Sequence, residues 1–136
     1  MPSILLIEDD ELFRSTLAEA LTSQGYTVTQ ATDGDEGVKM FKARPTDLVL
    51  TDVVMPNKEG IATVRELRRG NPGLGIIAMS GGFASDAPLY LQLAGGLGAD
   101  RTLQKPFPLP VLLQAVQEVL ALDEAARARS KGPAPK

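Results

Sequence analysis

Apolar residues in this chain follow two alternating patterns, short unbroken runs and longer stretches with a helical period. The runs are Ile4-Leu5-Leu6-Ile7, Leu48-Val49-Leu50 and Ile76-Ile77-Ala78-Met79. Runs of this length, bounded by polar or glycine-rich segments, read as strands buried on both faces. After the first run, Phe13, Leu17, Ala20 and Leu21 recur at i, i+4, i+7 and i+8, which predicts an amphipathic helix ending near Gln24-Gly25. Gly25 is suited to a left-handed cap there. Residues 26–31 alternate and are rich in β-branched side chains, a second strand. Asp33-Gly34 opens a second helix with Val38 and Phe41 inside, finishing before Pro45. A third helix carries Gly60, Ile61, Val64, Leu67 and Arg68 and stops at Gly70-Asn71-Pro72-Gly73. A fourth starts near Asp86-Ala87-Pro88 and carries Leu89, Tyr90, Leu91, Leu93 and Ala94. Gly95, Gly96 and Gly98 weaken its end. Arg101-Thr102-Leu103-Gln104 is a short fifth strand, and a last helix from Leu109 shows Leu112, Val116, Val119 and Leu120 on one face.

Strands alternating with helices predict an α/β fold, a parallel sheet covered on both faces by right-handed crossovers. The length suits a three-layer αβα, flavodoxin-like (βα)5 doubly wound sheet of strand order 2-1-3-4-5, occupying residues 2–122 as one domain. Residues 123–136 read as a helix extension followed by a tail of disordered composition.

That strand order changes the reading of the acids. Its switch point falls between the first and third strands, where such folds bind ligands. The first strand ends on Glu8-Asp9-Asp10-Glu11, the third on Asp52, the fourth on Ser80 and the fifth on Lys105. Carboxylates brought that close repel one another unless a divalent cation or a lysine balances them. Asp52 is a candidate nucleophile toward an activated phosphoryl group, with a metal and Lys105 stabilising the transferring oxygens and the Ser80 hydroxyl donating to one of them. Plain structural roles stand beside these. Acids after a strand often serve a helix N-terminus, and Asp10 and Glu11 are expected to do so. Asp52 can cap a turn, Ser80 before two glycines can be only a turn residue, and Lys105 can be a surface lysine. The specific signal is the combination on successive strand ends.

Composition removes several function classes. The chain has no histidine, so it is neither a histidine acid–base catalyst nor a phosphohistidine carrier, and it has no cysteine for disulfides or thiolate metal sites. A divalent metal must therefore be held by oxygen, which suits Mg2+ or Mn2+. The net charge is −3 with no basic stripe, which argues against direct nucleic-acid binding. No apolar run reaches membrane-spanning length, and a cytoplasmic location is expected.

The chain resembles the receiver domain of two-component response regulators. The resemblance is carried by Ile4-Leu5-Leu6-Ile7-Glu8-Asp9-Asp10, Asp52-Val53-Val54-Met55-Pro56 with Gly60, Met79-Ser80-Gly81, Gly98-Ala99-Asp100 and Lys105-Pro106-Phe107. It implies that Asp52 is the phosphoacceptor. Asp9 would be a direct Mg2+ ligand, Glu8 would act through water, and Val54 would offer its backbone carbonyl to the metal. Ser80 would be the switch hydroxyl, Lys105 the lysine that pairs with the acid and then the phosphate, and Lys105-Pro106 a cis bond. The phosphoryl donor would be a sensor histidine kinase or a histidine phosphotransfer protein. Output would pass to a downstream protein target or output domain through the face made by the fourth helix, fifth strand and fifth helix, which is also a candidate dimerisation face. A free-standing, single-domain regulator is expected, catalysing only its own phosphorylation and dephosphorylation.

The chain departs from the family pattern at Thr102, where an aromatic switch residue is usual. The signal is then expected to travel through backbone shifts and a mobile fourth helix. Val54 and Gly82 offer no polar side chain to orient an attacking water, so slow dephosphorylation is expected. The competing readings are a non-phosphorylated pseudo-receiver, a Mg2+-dependent phosphohydrolase and an FMN-binding protein. The phosphohydrolase lacks its customary second acid at Val54, and the FMN reading fails because four consecutive acids follow the first strand.

Overall fold

The computed structural model describes residues 2–53, 60–81, 92 and 94–122. The strands are β1 (Ser3–Ile7), β2 (Thr27–Ala31), β3 (Leu48–Asp52), β4 (Gly75–Ser80) and β5 (Arg101–Gln104). They form one parallel sheet of order β2-β1-β3-β4-β5, the order expected from the alternation. The helices are α1 (Glu11–Ser23), α2 (Gly34–Ala43) and α3 (Gly60–Arg68), then α4, of which residues 92 and 94–97 are described, and α5 (Leu109–Leu120). The start of the fourth helix, Val54, Gly82 and residues 123–136 lie outside the described residues.

The sheet sorts its side chains by parity, because successive residues of a strand point to opposite faces. Ile4, Leu6, Leu48, Leu50, Ile77 and Met79 pack against Leu17 and Leu21 of α1 and Leu112, Val116 and Val119 of α5. Leu5, Ile7, Val49, Ile76 and Ala78 pack against Val38 and Phe41 of α2, Val64 and Leu67 of α3, and Ala94 of α4. Both faces of the central strands are therefore dry, so their runs show no polar alternation. Burying each Leu or Ile contributes about 1.5–3 kcal/mol. The edge strands β2 and β5 are only partly covered and keep alternate polar residues.

The helix starts follow local chemistry. Asp10 caps α1, accepting from Phe13 N at 3.0 Å. Asp33 caps α2, accepting from Glu36 N at 2.8 Å, while Glu36 Oε1 accepts from Thr32 N at 2.7 Å. Gly25 and Gly70, just past α1 and α3, have φ of 97° and 85°, the left-handed region.

A buried ion pair ties the far ends of α3 and β5. Arg68 Nη2 lies 3.0 Å from Asp100 Oδ2. The same guanidinium donates to the carbonyls of Gly98, Asn71 and Leu74, and Asp100 accepts from Ile76 N at 2.9 Å. This holds the entry to β5 in register with β4.

Candidate functional site

The C-terminal edge of the sheet gathers the residues singled out in the sequence. Asp52 is the last residue of β3, paired with Met79, and its carboxylate is buried. β1 lies directly beside β3, so Glu8 and Asp9, which follow β1, arrive next to Asp52. Glu8 is 1% exposed, whereas Asp9 is exposed to solvent. Glu8 N donates to Ala31 O at 3.1 Å, and Arg14 Nη1 donates to Glu8 O at 2.8 Å. Both bonds fix the backbone where the chain turns from β1 into α1.

Lys105 reaches this cluster from the end of β5. Its backbone N donates to Ser80 O at 2.7 Å, and the Lys105–Pro106 peptide bond is cis. The ammonium donates to Asp52 Oδ2 at 2.6 Å and to Glu8 Oε1 at 2.5 Å. The same nitrogen stands 4.4 Å from the centre of the Phe13 ring. Gly81 permits the approach of β4 to β5, because a Cβ there would lie 2.5 Å from Lys105 Cβ and 2.8 Å from Lys105 O.

The electrostatics follow from three acids around one cation. Burial pushes the Glu8 carboxyl up to about 7; the hydrogen bond from Lys105 opposes this, while the charge of Asp52 and the contact with Asp9 add to it. For Lys105, burial favours the neutral amine, but the bonds to Asp52 and Glu8 outweigh it and raise the group above its ordinary value. Lys105 is therefore an ammonium at neutral pH, shared between Asp52 and Glu8.

Glu8, Asp9 and Asp52 can each present a carboxylate oxygen such that all three oxygens lie within 4.8 Å of one another. The donor set is all oxygen and open to solvent on the Asp9 side, which fits a hard ion such as Mg2+ that retains several waters. Ser80 is fully buried, and its hydroxyl oxygen finds no hydrogen-bond partner among the described residues. A buried hydroxyl without a partner is uncommon enough to call for an explanation, and an anionic group arriving at Asp52 would supply one. Thr102 is exposed on β5, paired with Ala78 and so on the sheet face shared with Ser80.

Residues 4–117 match the family model of the response regulator receiver domain. The chain belongs to this family. Among curated relatives, the receiver is 32% identical to the chemotaxis protein CheY of Halobacterium salinarum over 117 residues, covering 86% of this chain and 95% of the relative. It is 35% identical to the transcriptional regulatory protein AfsQ1 of Streptomyces coelicolor, covering 91% of this chain and 53% of that protein. It is 38% identical to the sensor kinase CckA of Brucella abortus, covering 87% of this chain and 12% of the kinase. The receiver thus spans nearly all of one relative, about half of another and a small part of the third. Among solved structures, the response regulator TrrA of Thermotoga maritima in complex with Mg2+–BeF matches with a TM-score of 0.78 and 28% identity, covering 88% of this chain and 99% of that one. A receiver domain from Clostridium thermocellum matches with a TM-score of 0.80 and 27% identity, over 88% and 94% of the two chains. Receiver domains generally signal rather than act as enzymes, and they bind Mg2+ at an acidic pocket of the kind Glu8, Asp9 and Asp52 form. No helix among the described residues is long and apolar enough to cross a membrane.

Three features of the site went unread in the sequence. Glu8 meets the ammonium directly, whereas the sequence reading sets a lysine against the acidic cluster without singling out Glu8 as its partner. Phe13 was read as a core position of α1, and at the first turn of that helix the inward direction is toward the site. Arg14 holds the Glu8 carbonyl, and an arginine in the first turn of a helix offers no sequence signal for that.

Proposed function

We propose that this receiver is a phosphorylation-dependent switch in which Asp52 takes a phosphoryl group from a phosphohistidine on a partner kinase or phosphotransfer protein. The observation that carries the reading is the arrangement around one buried carboxylate. Asp52 is held by a lysine, flanked by two more acids, and set on the strand next to a buried hydroxyl that has no partner among the described residues.

In the proposed step an Asp52 carboxylate oxygen attacks phosphorus. The P–O bond forms as the P–N bond to the donor imidazole breaks, and the bonding pair leaves with that nitrogen. These 136 residues hold no histidine, so the phosphohistidine that donates lies outside them. Mg2+, held by Asp9 and Asp52 with the Val54 carbonyl and with Glu8 through water, would neutralise charge on the transferring oxygens. Lys105 keeps the carboxylate oriented before transfer and shifts its donor to a phosphoryl oxygen afterwards. The Ser80 hydroxyl gains its missing partner in the same oxygens. That movement draws the end of β4 inward, and β5 follows, because Lys105 N is bonded to Ser80 O. With Thr102 in place of an aromatic ring, the change would pass on toward α4 through this backbone link. The face of α4, β5 and α5 would then meet a protein target, an output domain or a second copy. The working unit is residues 2–122.

Incubation with acetyl phosphate and Mg2+ followed by intact mass tests this. The expected result is a gain of one phosphoryl group that is lost in Asp52→Ala. No gain in the wild type, or an undiminished gain in Asp52→Ala, overturns the proposal.

A further inference from the structure

The Lys105 ammonium has three N–H donors. Two are spent on Glu8 and Asp52, and the nitrogen also stands over the face of Phe13, 4.4 Å from the ring centre. That distance is well inside the range in which a cation is attracted to an aromatic quadrupole. The ring is itself held on two sides. Phe107, two residues beyond Lys105, meets it edge-on with centres 6.0 Å apart and planes at 72°, a favoured aromatic geometry. Phe13 N is bonded to the cap Asp10 at 3.0 Å, so the backbone that follows the acidic pair also sets the position of the ring.

We propose that Phe13 is a positioning residue for Lys105, an aromatic seat that keeps the ammonium between Glu8 and Asp52. The inference deepens the phosphoacceptor reading and, for its functional half, rests on it. The physical need is clear from the side chain. A lysine carries about 2 kcal/mol of rotamer freedom, and a reaction that moves charge from a carboxylate to a phosphoryl group requires the cation to move with it. Hydrogen bonds fix a direction. Attraction to a ring face varies little as the cation slides across it, so the seat confines Lys105 to the site without tying it to one oxygen. The ring also covers one side of the ammonium with an apolar surface, which strengthens its pull on the anions.

The test has two readouts. In the metal-free protein, the Lys105 side-chain methylene protons next to the ammonium are followed by NMR and assigned by their loss in Lys105→Met. A ring beneath the ammonium moves them upfield of those of the other lysines. The shift is expected in the wild type, absent in Phe13→Leu and present in Phe13→Tyr, which keeps the ring. An unshifted Lys105 in the wild type, or a shift that survives Phe13→Leu, overturns the seat. The second readout is the rate of modification by acetyl phosphate at saturating Mg2+. Phe13→Leu is expected to lower it roughly three- to tenfold, the range a cation–π contact supplies, and Phe13→Tyr to restore it. A Phe13→Leu rate equal to wild type overturns the functional half. If the wild type takes up no phosphoryl group at all, the phosphoacceptor reading fails, and the NMR result still decides the seat.

Discussion

Glu8 makes the stability of the metal-free receiver depend on pH in a direction opposite to that of an ordinary paired acid. Its carboxyl is pushed from 4.5 to about 7 by burial, with the charge of Asp52 and the contact with Asp9 adding to the bias against ionisation. Between those two values the folded chain holds a proton that the unfolded chain has lost. Unfolding then releases a proton, so stability falls as pH rises from about 4.5 to about 7 and is level in this respect above it. At about 1.4 kcal/mol per tenfold change in proton affinity, the full excursion is on the order of 3 kcal/mol. Lys105 does not confuse the measurement. Its folded value is raised above 10.5, so its contribution is complete below that value and is lost only as pH rises through the still higher folded value.

The assay is urea unfolding in EDTA at pH 5 and pH 8, for wild type and for Glu8→Gln, which cannot ionise. Other acids titrate in both proteins, so the difference between the two proteins isolates Glu8. The wild type is expected to lose about 2–3 kcal/mol relative to the variant between the two pH values. Parallel behaviour of the two proteins, within about 0.5 kcal/mol, would refute the reasoning, because it would mean that the buried carboxyl is ionised throughout. Adding millimolar Mg2+ supplies a further check. The ion stabilises the ionised cluster, so at a hundred times its dissociation constant it should raise wild-type stability by about 2.7 kcal/mol at pH 8, and by less at pH 5.

Three substitutions extend the argument. Lys105→Met leaves Glu8 and Asp52 facing each other without the ammonium. A loss of about 2–4 kcal/mol is expected at pH 8 without metal, shrinking when Mg2+ is added, and urea midpoints measured both ways check it. Arg68→Met removes the guanidinium that faces the fully buried Asp100 side chain. Thermal unfolding should show a loss of about 3 kcal/mol, whereas Asp100→Asn should lose less because its amide oxygen still accepts from Ile76 N. Thr102→Tyr places a ring where Thr102 is exposed and where its neighbour is Gly95, at which a Cβ would only just touch Thr102 Cγ2, at 4.0 Å. Stability within about 0.5 kcal/mol of wild type is expected, and a large loss would show that the face is closed.

Much of the fold was legible because the central strands are buried on both faces. Runs such as Ile4-Leu5-Leu6-Ile7 and Ile76-Ile77-Ala78-Met79 carry that burial openly, and their alternation with helical periods leaves few strand orders. Order alone then placed Glu8 and Asp9 beside Asp52. Asp10, read as a helix-start residue, does cap α1. Pairwise contacts between elements were harder to read, because period and composition are silent about which partner a side chain meets. Arg68 shows this well. The sequence places it on the third helix with Ile61, Val64 and Leu67 and says nothing of an acid that it meets. Nothing in the pattern identified Asp100, thirty-two positions later, as that acid.

The same limit explains why the site is better defined on its input side than on its output side. The groups around Asp52 sit at strand ends, where sheet geometry allows little choice of position. Ser80 and Lys105 are also joined through the backbone, Lys105 N to Ser80 O at 2.7 Å. A pull on the Ser80 hydroxyl therefore moves the end of β5 whatever side chain stands at position 102. An aromatic residue there would add a second, bulky reporter. Thr102 leaves the backbone link as the route by which a change at Asp52 reaches β5. On this reading, Ser80→Ala should weaken the response of β5 amides to a phosphate mimic such as beryllofluoride, measured by hydrogen exchange, while Thr102→Val should leave it intact. Equal loss in both variants would show that Thr102 carries the signal itself.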